Sequence, residues 1–380
     1  MTEPALIAGA GIAGLTLALS LARRGVGSRI LERASLLQEA GAGIQLSPNA
    51  GRVLDALGLG PALDAVAVRP EAVAIGDAPT GRTLTTLPLG TAAERRWGSP
   101  YRVLHRADLQ TVLLEAARKE PAIEIALGAE ILAVHETESG VAAEVRSTSG
   151  AETIEAAWLA GADGLRSVAR RAVKLPDAVR TTGLVAWRSV VPAAALPSAF
   201  GPTRVTVWLA PGAHLVVYPV RGGREANIVI IGDSRASGPA DLAARWAAPA
   251  RDLIAAAGGW TAWPLHDRDP DARMRRGRIV LLGDAAHATL PSLAQGAAFA
   301  IEDAAVLARL VAAGGADPFS PYEKARLPRT ARLQTRSRRQ MEIDHLGGLA
   351  ARARNLALTL APTQALLAGL DWAYGWKDAA

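Results

Sequence analysis

Ala5-Leu6-Ile7-Ala8-Gly9-Ala10-Gly11-Ile12-Ala13-Gly14, with the following Leu15–Arg24, Gly25, Ser28-Arg29-Ile30-Leu31 and Glu32, decides the fold. The apolar opening reads as a short buried strand. A G-x-G-x-x-G turn follows, then a segment of helical composition that closes at Gly25, then a second strand ending in an acid. This is a βαβ dinucleotide fingerprint in its required context. Gly9 permits the tight turn, Gly11 lets backbone approach a pyrophosphate, and Gly14 lets the helix pack on the sheet. The helix N-terminus turns unpaired N–H groups and partial positive charge toward phosphates. Glu32 stands 18 positions past Gly14, where a carboxylate can accept hydrogen bonds from the adenosine ribose. Arg33 beside it is a further candidate cofactor contact. An acid at this place favours a ribose with a free 2′-hydroxyl, so NAD or FAD over NADP.

The rest of the composition narrows the class. At 380 residues and half hydrophobic, the chain is long enough for two domains or one elaborate one, which excludes disordered, collagen-like and disulfide-scaffold proteins. It has no Cys, which removes disulfides, thiolate metal sites and cysteine nucleophiles and fits a reducing, cytoplasmic setting. Of 42 basic residues only Lys119, Lys174, Lys324 and Lys377 are Lys. The Arg residues are scattered apart from knots at Arg273–Arg278 and Arg326–Arg339, and aromatics for base stacking are few, so no nucleic-acid partner is expected. Pro4 to Ala22 carries no charge and nearly matches a membrane span in length. Only Thr2 and Glu3 precede it, with no basic region, and glycines interrupt it, so no stable membrane insertion is expected. A second uncharged run, Asn355–Leu370, is broken by Pro362. The six His show no metal-ligand spacing, and no G-x-S-x-G supports a hydrolase triad.

Two later segments specify the dinucleotide. Trp158-Leu159-Ala160-Gly161-Ala162-Asp163-Gly164-Leu165-Arg166-Ser167 is an apolar strand running into a Gly-Ala-Asp-Gly turn, followed by a helix expected to hold Arg166, Arg170 and Arg171. Arg278-Ile279-Val280-Leu281-Leu282-Gly283-Asp284-Ala285-Ala286-His287 is another buried strand ending in Gly-Asp. It leads to Pro291, Gln295-Gly296-Ala297 and a helix with Ile301-Glu302-Asp303. No second G-x-G-x-x-G exists, so a separate nicotinamide domain is not expected.

These segments resemble the second and third fingerprints of the single-component FAD-dependent aromatic hydroxylases, the para-hydroxybenzoate hydroxylase superfamily. The resemblance covers nearly the whole chain. Gly41-Ala42-Gly43-Ile44-Gln45-Leu46-Ser47-Pro48-Asn49-Ala50, His105-Arg106-Ala107-Asp108-Leu109 and Trp372-Ala373-Tyr374-Gly375 are similar to the branch of salicylate hydroxylase, 3-hydroxybenzoate 6-hydroxylase and 6-hydroxynicotinate 3-monooxygenase. The resemblance implies an α/β fold with a discontinuous Rossmann-like FAD-binding domain at residues 1–70, 101–175 and 272–319. It implies a β-sheet substrate domain at 71–100 and 176–271, and C-terminal helices at 320–380.

It also implies roles. Asp284, a carboxylate at a strand end, would bind the ribityl hydroxyls. A helix starting near Gly296 and Ala297 would aim its N–H groups at the flavin pyrimidine ring, where charge gathers on reduction. Arg106 and Asp163 would contact FAD, and Asp163 is also linked to the pyridine nucleotide. NADH or NADPH would reduce FAD when substrate binds, and O₂ would give a flavin C4a-hydroperoxide that hydroxylates a small phenolic ring or hydroxypyridine, with decarboxylation where a ring carboxylate allows it. Other FAD oxidoreductases, such as an oxidase or dehydrogenase, and a tailoring hydroxylase of a larger phenol stand as alternatives. Trp260-Thr261-Ala262-Trp263-Pro264 does not match the W-x-W-x-I-P of halogenases. A monomer or homodimer is expected.

From Pro176 to Asp271 the pattern changes to strands, at Gly183–Val191, Val205–Leu209, His214–Val220 and Asn227–Gly232, with helix at Pro239–Ala257. His214 and Tyr218 are four apart. On a strand they share one face about 13 Å apart and can bracket a planar ring; in the resembling branch a His and a Tyr so spaced line the substrate pocket. They are the candidate catalytic pair, one or both relaying the phenol proton. Gln45 and Pro291 are candidate pocket residues, Arg188 and Arg221 are lesser candidates for a substrate carboxylate, and His287 is read as structural.

Overall fold

The computed structural model describes residues 4–37 and 43–378; Thr2, Glu3, Gly41 and Ala42 lie outside them. Ala5–Ala8 is a strand with every residue buried, and it lies inside a six-stranded sheet. From edge to edge the strands are Arg275–Arg276, Ile279–Leu281, Leu159–Gly161, Ala5–Ala8, Ser28–Glu32 and Ile123–Leu127. All neighbours are parallel except the first pair. The uncharged run from Pro4 is thus strand, turn and the helix Ile12–Ala22. That helix is buried from Ile12 to Leu21 because it packs between the sheet and the helix Gly296–Ala312. Among the described residues no helix is long and apolar enough to cross a membrane.

The glycines meet two different demands. A Cβ on Gly14 would lie 2.0 Å from the Gly9 carbonyl oxygen, so the turn closes only without one. At Gly11 a Cβ would meet nothing within 4 Å, which leaves that space to a ligand. Gly9 itself has φ +98°.

A second sheet of seven strands covers the first unit. Its order is Thr261–Asp267, Arg180–Pro192, Glu225–Asp233, Ala213–Val220, Arg204–Ala210, Ala72–Asp77 and Arg82–Pro88. Neighbours are antiparallel except Arg204–Ala210 beside Ala72–Asp77. Side chains alternate across it with the strand period of two. Leu215 and Val217 point into a core with Trp208, Ile228, Ile230, Leu253 and Ile254. His214, Val216 and Tyr218 line a cavity on the other face.

Three expectations are corrected. Pro239–Ala257 is not one helix but two, Pro239–Ala243 and Ala248–Ala256, the second entered through Pro249, which lacks the N–H a continuous helix would need there. The helix after Asp163 is only Val168–Ala172, so Arg166 lies in the preceding turn. Arg221 is away from the cavity, paired with Asp108.

The long helix Phe319–Asp344 ends at His345. Helices Gly348–Leu360, Thr363–Ala368 and Asp371–Tyr374 then fold back. Arg354, Leu358, Leu366 and Tyr374 of these helices, with Asp344 of the long helix, line the cavity.

Candidate active site

One cavity of about 690 Å³ joins the two halves of the site. Its lining includes Gly11, Arg106, Asp284, Gly296 and Ala297 of the expected cofactor contacts, and Gln45, His214, Tyr218, Pro291 and Arg188 of the expected substrate contacts. Gly9, Gly14, Glu32, Arg33 and Asp163 lie off its wall.

The residues expected to meet the cofactor follow from strand ends and helix starts. Asp284 is exposed to the cavity at the start of the short helix Asp284–His287. Its carboxylate has no hydrogen-bond partner among the described residues. Gly296 opens the helix Gly296–Ala312, whose first N–H groups have no partner within the helix. Gly283, just before Asp284, would bring a Cβ within 3.2 Å of both Ala13 and Ala300, so the turn must be glycine for the two helices to close around it. The Glu32 carboxylate accepts from the N–H of Ala10 and of Ala34, each at 2.9 Å. Those bonds fix it at the strand end without covering it fully, since the residue stays partly exposed. Asp163 accepts from the N–H of Val168 at 2.6 Å and of Ala169 at 3.2 Å, and so caps its helix. Burial pushes its carboxyl up, and its other oxygen is buried with no partner. Arg33 is exposed beyond the second strand.

The open space at Gly11, the unpartnered Asp284 carboxylate and the free helix start at Gly296 fit FAD. They would take, in turn, its pyrophosphate, its ribityl hydroxyls and its pyrimidine edge.

The residues expected to meet the substrate are built on the sheet face. Tyr218 pairs with Asn227 across the ladder. Asn227, fully buried, accepts from the Gly43 N–H at 2.7 Å. A Cβ on Gly43 would fall 2.4 Å from the Tyr218 ring, so the glycine lets that ring lie on bare backbone. Burial pushes the Tyr218 hydroxyl well above the usual phenol range, and Arg188 offsets this only in part. The Tyr218 hydroxyl therefore keeps its proton near neutral pH. His214 is buried. Its Nδ1 lies 2.8 Å from Nε2 of His345. Burial, then the neighbouring His345, takes the His214 imidazole down to about 3, so it is neutral across the physiological range. Gln45 accepts from the Tyr101 hydroxyl at 2.6 Å.

The sequence reading missed several wall residues: Tyr101, Asp344, Arg354 and, behind His214, His345. Tyr101 stands five residues before Arg106, at the head of the strand Arg102–His105, and could have been found from that motif. Asp344 and His345 have no local signal, because a helix end reaches the cavity only through tertiary packing. Burial pushes the Asp344 carboxyl up to about 7, against the Gln340 amide that donates to it at 2.8 Å. Arg354 donates to the carbonyls of Ile343 and Asp344, closing the C-terminus of the long helix. His287 is structural as expected, its Nε2 lying 2.5 Å from the buried Asp303 carboxylate. Among the described residues no cluster of His, Cys, Asp or Glu could hold a metal ion.

Comparison with known proteins agrees with this geometry. A family model described as FAD binding domain matches residues 2–337. The chain is 41% identical to 3-amino-4-hydroxybenzoate 2-monooxygenase of Streptomyces cremeus, over 97% of this chain and 94% of that protein. It is 35% identical to 3-hydroxybenzoate 6-hydroxylase of Polaromonas naphthalenivorans strain CJ2, over 98% and 96% of the two chains. A crystal structure of a variant of HpxO from Klebsiella pneumoniae complexed with FAD superposes with a TM-score of 0.86 at 26% identity, over 97% of each chain.

Fold, site and relatives define a flavin-dependent aromatic monooxygenase, using FAD with NAD(P)H and O₂. The chain belongs to the FAD binding domain family.

Proposed function

We propose that this enzyme hydroxylates a small hydroxybenzoate. The observation that carries the reading is that Asp284 and Gly296 line the same cavity as His214 and Tyr218. The relatives support it: 3-amino-4-hydroxybenzoate and 3-hydroxybenzoate monooxygenases match almost the full chain. FAD, once reduced by NAD(P)H, supplies the activation of O₂. Gly9, Gly11 and Gly14 shape the pyrophosphate turn, Glu32 takes the adenosine ribose with Arg33 beside it, and Asp284 holds the ribityl chain. Gly296 and Ala297 present N–H groups to the ring, with Arg106 and Asp163 supporting.

The chain's own side chains prepare the substrate. The sheet face gives the cavity an apolar wall through Val73, Val205, Val207, Val216 and Ile231, and excluding water from the ring would suppress loss of activated oxygen. Tyr218 donates to the substrate oxygen, and neutral His214 accepts its proton. Ring hydroxylation needs that proton gone, because the oxygen then donates more charge to the ring. Gln45 and Pro291 shape the ring's surroundings. Asp344, beside Gln340, can accept from a second ring substituent that carries a hydrogen, which favours an amino-hydroxybenzoate over an unsubstituted one.

Residues 1–70, 101–175 and 272–319 form the cofactor domain, 71–100 and 176–271 the sheet domain, and 320–380 the helical cap, in the division we favour. The reading extends to a cytoplasmic monomer or homodimer with no nucleic-acid partner; the absence of Cys and the scattered Arg residues support this.

The test is NADH and NADPH oxidation by FAD-loaded protein with 3-hydroxybenzoate, 3-amino-4-hydroxybenzoate and 6-hydroxynicotinate, with products identified by mass. A ring gaining one oxygen is expected with a benzoate. Consumption of NAD(P)H yielding only H₂O₂ with every ring would overturn the assignment.

A further inference from the structure

We propose that His345 is a positioning residue that carries the substrate's phenolic proton from His214 out of the cavity. The inference rests on the hydroxylase reading above.

A phenol held on the sheet face needs a hydrogen-bonded group to take its proton. His214 lies on the cavity wall, and its Nδ1 is committed to His345, which leaves Nε2 for a substrate hydroxyl. The partner ring belongs to a different part of the fold, 131 residues away. It sits at the C-terminal end of the long helix, in the turn before Gly348. It is only partly buried, and Gly347 and Gly348 after it are exposed. The two rings are 5.1 Å apart between centroids and tilted by 51°, an edge-linked and not a stacked arrangement. The pair thus spans from cavity to surface.

Other contacts fix His345 in place. The Gly212 N–H, one strand turn before His214, donates to the His345 carbonyl at 2.9 Å. Gly347 packs on Pro211. The Arg354 guanidinium, which donates to the carbonyl of Asp344, acts on the His345 ring, and Asp344 lines the same cavity as His214. Burial, then Arg354, lowers the His345 imidazole to about 4. Both rings are therefore neutral near pH 7, as a relay between imidazoles requires, because each must have one bare nitrogen.

The step balances with no other reactant than water. The substrate O–H breaks, its electron pair stays on oxygen, and the proton goes to His214 Nε2. The proton on His214 Nδ1 passes to His345 Nε2, and the proton on His345 Nδ1 passes to water. Both rings end neutral with their tautomers reversed. Reprotonation of the product by the reverse passage resets them.

The test uses full-length, FAD-loaded protein and its His345→Gln and His345→Phe variants. Gln keeps a hydrogen-bond acceptor for His214 but cannot exchange tautomers. Phenolate absorbance is followed by stopped flow without oxygen, on mixing with 3-hydroxybenzoate or 3-amino-4-hydroxybenzoate. Gln should slow proton loss on the order of 10²-fold, the scale of general-base contributions, while the dissociation constant changes less than about threefold. Added imidazole should restore the rate in the Phe variant. Proton loss at the wild-type rate in the Gln variant overturns the relay. If the wild type binds neither acid, the substrate reading fails, and ¹⁵N-histidine NMR decides the relay alone. Two neutral rings sharing one proton support it. Two rings that share none, or that are charged at pH 7, overturn it.

Discussion

His214 and Tyr218 share a strand face but are placed in opposite acid–base states by the same burial. Burial disfavours charge, so the imidazole stays unprotonated and the phenol stays protonated. Tyr218→Phe removes a donor without opening the wall. Product formed per NAD(P)H consumed should fall on the order of 10-fold, with flavin content unchanged; unchanged coupling would take the hydroxyl out of the chemistry. Asp344 gives a pH dependence of its own. Its carboxyl is raised to about 7, so it is neutral below that pH and ionised above it. An ionised Asp344 repels a substrate carboxylate. The wild-type kcat/KM should therefore fall as pH rises through about 7, and Asp344→Asn should remove that fall. Persistence of the same inflection in the variant assigns it elsewhere. His214, at about 3, should leave no inflection near 6.5. Of these three residues the sequence exposed only two. His214 and Tyr218 reveal themselves by period-two spacing on a strand, whereas Asp344 has no marker beyond being the last residue of its helix.

At the scale of elements, the G-x-G-x-x-G turn separates stability from binding within six residues. Gly14→Ala would put a methyl 2.0 Å from the Gly9 oxygen, so the helix must shift off the sheet. A loss of about 1–3 kcal/mol or more is expected from such overpacking, read by urea unfolding of the apoprotein. Gly11→Ala meets no atom of the chain. Its apoprotein should unfold at the wild-type urea midpoint, yet retain little FAD after desalting, because the methyl occupies the space left for the pyrophosphate. A Gly11→Ala protein with full flavin would refute that placement. Likewise Asp284→Ala should come through desalting depleted of flavin, and full occupancy would remove the ribityl assignment. This βαβ unit was legible because its strand, turn, helix and acid are consecutive in sequence. So were the sheet strands, whose alternation is local. The break between Ala243 and Ala248 was not, since composition marked helix on both sides, and Arg221 was misplaced because its partner Asp108 lies in another segment.

For the molecule as a whole, one buried charged network holds cofactor unit, glutamine turn and C-terminal helix together. Arg326, 1% exposed, donates to Asp303 at 2.6 Å, to Glu302 at 2.8 Å and to the Phe299 carbonyl. Asp303 also accepts from the Gly283 N–H, next to Asp284. Glu302 continues through Asn49 to Gln295 and Ser47, just before Gly296. Burial pushes the Asp303 carboxyl up, but His287 and Arg326 outweigh it and hold it below the usual range. The sequence showed Glu302 and Asp303 on a helix and Arg326 only as part of an arginine knot; nothing local joined them, since the pairing spans more than twenty residues and a change of element. Removing one partner of a buried ion set strands the others, which costs about 3–5 kcal/mol. Arg326→Met should cost that much by urea unfolding, with or without FAD, because Arg326 is not on the cavity wall. Arg329→Met should cost less, as Arg329 is more exposed and leaves Arg326 in place. A drop in Arg326→Met confined to the FAD-loaded protein would show instead that the network acts through the cofactor site. An equal drop in both forms makes it the frame on which Asp284 and Gly296 are set.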